Sequence, residues 1–264
     1  MTATIREVNN NRGLRLVSGF LFTVFLIVAL FAYHIYLLTS YDMIEKVGMA
    51  TSREMVDVQS LSAIYYPELV KQAEKSPDAD LVLPGLDVNL GIKARDIRNI
   101  SKDRIGDVIS RAIIKRIYYE GFSSVYKPAT LSDSDQNGMN NLTGLADSFV
   151  NKDFNQRMLL VFYVSSALVA LLAFPFFLFS VGFQKLTGFG VSLIVAGAPG
   201  LLLAFIRSRF EAMMQADRLG SGLVQHTLLP FIGSVQSTYL SVLLLGMGLF
   251  LVGISGIFIS RGKA

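Results

Sequence analysis

Four long apolar runs divide the chain, and between the first two lies a stretch with a different rhythm. The first run, Leu16 to Leu38, contains no Asp, Glu, Lys or Arg over about 23 residues, enough to cross a hydrocarbon core of about 30 Å as a helix. The others run from Met158 to Phe183, from Phe189 to Ile206 and from Tyr239 to Ile259. The third is close to the minimum length and carries Pro199; the second carries Pro175. Proline inside a span removes a backbone donor, so both positions predict kinks in a packed bundle. Arg6, Arg12 and Arg15 before the first run resemble the basic start of a signal peptide. The run is nevertheless too long for a typical signal core and lacks a small-residue exit, so it reads as a retained span.

From Tyr41 to Gln156 the pattern is that of an aqueous domain. Thr51-Ser-Arg-Glu54 has the spacing of a capping box, and Met55, Val58, Ser62, Tyr65 and Leu69 follow at helical intervals. Pro67 predicts an interruption or restart of that helix. Leu86, Val88, Leu90 and Ile92 alternate with polar or small residues as in a half-buried strand, for which no partner strand is evident. Ser101 then reads as the N-cap of a helix whose apolar face is Ile105, Val108, Ile109, Ala112, Ile113 and Ile117, with Gly121 as its stop. Its outer face carries Arg104, Arg111, Lys115 and Arg116: a solvated face, or one that meets an acidic partner or lipid headgroups. Lys127 to Asn141 is a polar loop, and Leu142 to Val150 an amphipathic lead into the second span.

The fold class expected is therefore mainly α: a four-helix transmembrane bundle with a mostly helical extracytoplasmic domain, residues 41–156, inserted between the first and second spans. Orientation follows from lysine and arginine in the short flanks. With residues 1–15 and 260–264 in the cytoplasm, Arg6, Arg12, Arg15, Lys185, Arg261 and Lys263 lie inside and outnumber Arg207, Arg209 and Arg218 in the outer 207–238 loop. The expected location is a plasma membrane, of a prokaryotic cell.

Composition narrows the function. Of the 264 residues 52% are hydrophobic, which sets the chain apart from ordinary soluble domains. There is no cysteine, so disulfides, thiolate metal sites and thiol nucleophiles are excluded. A net charge of only +4, with no basic block interleaved with aromatics, argues against nucleic acid as a partner. Histidine is limited to His34, at the outer end of the first span, and His226, in the outer loop; both read as hydrogen-bonded residues and not ligands. Asp103 and Asp107 are ordinary surface carboxylates at helical spacing. Asp133, Asp135 and Asn137, with Gly138, match the first half of an EF-hand calcium loop, but the twelfth position is Gly144 where a bidentate glutamate belongs. An Asx-rich turn is the expected reading, and calcium, at millimolar affinity, the sole cofactor to consider. Asn99 and Asn141 begin glycosylation tripeptides that carry little weight.

The spans contain no Asp, Glu, Lys or Arg, which argues against an ion or proton pathway built by this chain alone. The fourth has a packing face instead: Ser241, Gly248 and Ser255 recur every seven residues, with Gly246 and Gly253 beside them. Together these features describe a non-catalytic membrane protein, an accessory or scaffolding subunit of a cell-envelope complex that binds protein through its outer domain. Its expected partners are membrane lipids and membrane proteins, including further copies of itself. The layout of four spans with a large outer domain after the first is similar to that of FtsX-like and MacB-like permeases. That similarity implies a transport-related or mechanotransmitting subunit coupled to a cytoplasmic ATPase, though the turn at Gln184–Gly188 is too short for the usual coupling surface. Claudin-like junction proteins share the layout too, but their cysteine pair and tryptophan motif are absent. An integral-membrane enzyme lacks an assembled site here.

Overall fold

The computed structural model describes residues 2–55, 58–85, 88–125, 147–215 and 227–261. It is mainly helical, and among the described residues four stretches are long and apolar enough to cross a membrane: Gly13–Leu38, Lys152–Leu178, Gln184–Arg209 and Leu229–Ser260. The chain divides into two compact units, one made of the apolar helices and one whose body is Tyr36–Arg157.

The apolar unit uses α1 (Thr2–Leu38), α5 (Lys152–Leu178), α6 (Gln184–Gly197), α7 (Pro199–Gln215) and α8 (Leu229–Arg261). Phe20, Leu171, Phe174, Leu244 and Phe258 are each about two-thirds exposed, an apolar surface of the kind found on helices that cross a membrane. The third span is not minimal: with 26 residues it extends about 39 Å. Pro199 lies inside that stretch, at the break where α6 ends at Gly197 and α7 begins with Pro199 as its first residue, where its missing N–H has no intrahelical use. Pro175 lies one turn before the end of α5 at Leu178, short of the expected Phe183, and the chain turns through Gly182 at φ 55°. Helix also occupies both ends of the expected 207–238 loop, since α7 runs to Gln215 and α8 begins at Leu229.

Glycine sets how closely these helices approach. A Cβ on Gly190 of α6 would lie 2.5 Å from the Phe250 nitrogen and 2.8 Å from the Gly246 carbonyl oxygen of α8. On Gly197 it would lie 2.5 Å from the Leu243 nitrogen, and Gly253 meets the backbone of Thr187 in the same way. Gly190 and Gly246 thus oppose each other, while Gly197 faces Leu243 and Gly253 faces Thr187, and the gain is dispersion between backbones, which hydrocarbon does not weaken. Ser241, Gly248 and Ser255 of the expected packing face point elsewhere: all three are exposed, with open space around Gly248. The real seam is offset from that face and runs through Gly246 and Gly253.

In the other unit, α2 (Tyr41–Met55), α3 (Val58–Lys75) and α4 (Lys102–Glu120) pack with a two-stranded antiparallel hairpin, β1 (Asp80–Leu83) and β2 (Val88–Lys93), and a 3-10 turn at Ala94–Asn99. The strand read from alternation does have a partner within the chain: Asp80–Leu83, four residues whose Leu81 and Leu83 are fully buried. Two other expectations are corrected. Thr51 is inside α2 and does not cap it; the cap is Ser40, whose hydroxyl accepts the Met43 N–H at 3.4 Å. α3 continues through Pro67, because the carbonyl this leaves without a donor belongs to the exposed Ala63 while the buried face of Ser62, Leu69 and Ala73 holds the helix to the core.

That core is Leu69, Leu81, Leu83, Val88, Leu90, Ile97, Ile105 and Ile109 with small residues between them. Ser62 reaches α4 by accepting the Gly106 N–H at 3.1 Å, and Ser52 bonds Ser110 at 2.8 Å. The amide of Gln72 donates to the Val82 carbonyl at 3.0 Å and accepts the Val82 N–H at 3.3 Å, so a side chain occupies the outer edge of β1. Ser101 stands at the start of α4 without a side-chain cap bond, and Gly121, at φ 89°, ends it.

Packing by glycine yields a clear expectation. Gly190→Ala and Gly246→Ala each lower the melting temperature of the detergent-solubilised chain, as an overpacking cost of about 1–3 kcal/mol requires. Gly248→Ala leaves it unchanged; equal melting of all three variants would contradict the α6–α8 seam.

Candidate functional site: a basic groove beside a free strand edge

One turn of α4 after another places Arg111, Lys115 and Tyr119 in a row, while Ile105 and Ile109 on the opposite side are buried in the core. Between this row and β2 runs a groove of about 910 Å³. Tyr41 from α2, with Arg116 and Glu120 from α4, complete its wall. All of Val88, Asn89, Leu90, Gly91 and Ile92 border it. Successive strand residues point to opposite faces, so five in a row along one wall means that the strand presents its edge, with its backbone donors and acceptors. No further strand pairs with β2 among the described residues. Gly91, at φ 71°, sits in the stretch where the register with β1 shifts, and its N–H turns back to the Asn89 side chain at 2.7 Å.

The charges are arranged unevenly. Glu45 receives Arg111 Nε at 2.7 Å, and Tyr41 donates its hydroxyl to the same carboxylate. Arg116, tucked in more than Arg111, donates to Glu120 at 2.9 Å. Lys115 has no carboxylate partner among the described residues, and it is the cation left for a ligand. At one end the groove is aromatic: Tyr41 stands 5.5 Å from Tyr118 and 5.9 Å from Tyr119, and Lys152 lies over the Tyr119 ring at 5.6 Å. Burial, reinforced by Glu45, pushes the Tyr41 phenol up to about 12. At neutral pH it is a hydrogen-bond donor and not a base.

Of the four basic residues singled out in the sequence, the structure brings Arg111, Lys115 and Arg116 to this groove and leaves Arg104 exposed outside it. Asp107 pairs with Arg53 on the surface, with Nη2 at 2.9 Å. Asp133, Asp135 and Asn137, and likewise His226, lie outside the described residues. His34 is buried in the apolar unit, donating to the Leu30 carbonyl at 2.7 Å and stacked on Tyr239. Sequence reasoning missed Tyr119, although it continues the Arg111–Lys115 spacing by one turn, and it missed Tyr41 and Glu45, which only the packing of α2 on α4 brings in. Comparison with protein-family models, curated proteins and solved structures finds no match to this chain.

The tyrosine gives a pH signature. Its ordinary value is 10.0, and in the folded chain it ionises near 12, so its stabilising contribution is complete below about pH 10 and is lost as pH rises to 12. Thermal melts across that range are expected to fall for the native chain, and Tyr41→Phe is expected to remove part of the slope. An unchanged slope would contradict the Tyr41–Glu45–Arg111 cluster.

Proposed function

We propose that the chain is a non-catalytic multi-pass protein of the plasma membrane, both termini cytoplasmic, whose domain at residues 41–156 faces outward and binds an extended acidic segment of a partner protein. It thereby acts as an accessory or scaffolding subunit of an envelope complex. The observation that carries this reading is the exposed edge of β2 along a groove whose other wall holds Arg111, Lys115 and Arg116. A segment added to that edge gains backbone hydrogen bonds, and carboxylates on its side toward α4 meet Lys115. The two arginines already share Glu45 and Glu120, so they supply further donors and not full charges. Tyr41 and Tyr119 offer flat apolar area at little entropic cost.

Two measurements test the parts of this proposal separately. A fluorescent Glu-rich peptide, titrated into the detergent-solubilised chain, is expected to bind in a salt-dependent way. Lys115→Glu weakens it by about tenfold, or about 1.4 kcal/mol, whereas Glu45→Gln, which releases Arg111, tightens it. Failure of both variants to change the affinity would remove the groove from the function. For orientation, the absence of native cysteine makes single-cysteine variants free of background. Asp96→Cys is expected to react with an impermeant maleimide added outside intact cells, and Lys185→Cys only after lysis; the reverse pattern would invert the topology.

A further inference from the structure

The apolar unit contains a crevice of about 490 Å³ bounded by α1, the end of α5, α6 and one residue of α8. Its chemistry is graded along its length. At one end Arg15 Nη1 donates to the Gln184 side-chain oxygen at 2.7 Å. Both residues stand at the starts of candidate spans, the level at which a bilayer changes from headgroup to hydrocarbon. Arg15 has no carboxylate partner among the described residues, so most of its five donors have no anion. Lys185, next to Gln184 and lying 3.9 Å over the Phe177 ring, adds a second cation. Away from this end the walls become apolar: Phe20 and Val191, with the Phe176 ring seated on Gly19 and Gly188.

From Arg15 to Thr23 on α1, and from Gln184 to Ser192 on α6, the lining covers nine residues, about 12 Å of helix. That is most of one leaflet's half of a hydrocarbon core about 30 Å thick. Other hydroxyls here are satisfied within their own helices: Thr23 donates to the Gly19 carbonyl at 2.9 Å and Ser180 to that of Phe176 at 2.7 Å. Ser192 differs. It is 5% exposed, lines the crevice, and has no hydrogen-bond partner among the described residues.

We infer that this crevice is a binding site for one anionic phospholipid, its headgroup phosphate on Arg15 and one acyl chain along Phe20, Val191 and Phe176. The cation at headgroup level and the leaflet-length apolar trough fit an amphiphile with a negative head. A packed protein helix with no carboxylate at that level would leave Arg15 without an anion. This assignment is independent of the groove in the other unit.

The test uses the full chain in nanodiscs of equal phosphatidylglycerol and phosphatidylcholine, released into native mass spectrometry. The native chain is expected to retain one phosphatidylglycerol in preference to phosphatidylcholine. Arg15→Gln loses that preference by about tenfold, the scale of a charge-assisted hydrogen bond. Val191→Trp, which fills the trough from a half-exposed position, loses the retained lipid of either kind. Equal retention of both lipids by the native chain would overturn the inference. So would a preference that survives Arg15→Gln, retention unaffected by Val191→Trp, or disulfide formation between two copies of Val191→Cys, which would put a second chain on the crevice.

Discussion

Backbone meets backbone where α6 lies along α8, and the apolar unit rests on that contact. In hydrocarbon the hydrophobic effect cannot drive helices together, so attraction comes from atoms in close contact, and closeness is limited by side chains. Gly190 and Gly197 on α6, with Gly246 and Gly253 on α8, lift the limit. With α6 fixed on α8, Phe189 is held in a ring cluster with Phe22 and Phe176, at 5.3 Å and 4.7 Å, which ties α1 and α5 to the same pair. The apolar trough that ends at Arg15 is what remains open between helices placed in this way.

The Tyr36–Arg157 unit solves a different problem. It has no disulfide and a core of modest size, so polar bonds supply what area cannot. Gln72 on Val82, Ser62 on the Gly106 N–H and Asn155 on the Tyr36 carbonyl at 2.7 Å each give a backbone group a side-chain partner. Surface ion pairs such as Lys93–Asp80 join cross-strand partners but add little, since both ends are about half exposed.

Much of this was legible in the sequence, and what was not has physical reasons. Long uncharged runs identify spans because hydrocarbon tolerates almost nothing else, and α4 was readable from Ile105 to Gly121 because one face is buried throughout. Helix boundaries were less readable: Thr51 has a cap's chemistry but not its place, since the chain was already helical from Ser40 onward. Pro67 was read as a break because propensity is local, whereas the burial of Leu69 and Ala73 is tertiary. Hairpin partner β1 escaped notice because four residues with an aspartate at the start carry almost no periodic signal. The stripe Arg111, Lys115 and Arg116 was visible as charge; that it faces a strand edge depended on pairing the sequence does not encode locally.

Gln72 has a consequence for valence. Its amide holds both backbone polar groups of Val82, so the β1 side of the sheet is closed by the chain's own side chain while the β2 side is open. A sheet with one open side accepts a single strand and then terminates. Copies of the protein therefore cannot propagate edge to edge into a continuous ribbon, and crowding many of them in one membrane does not by itself seed a fibre.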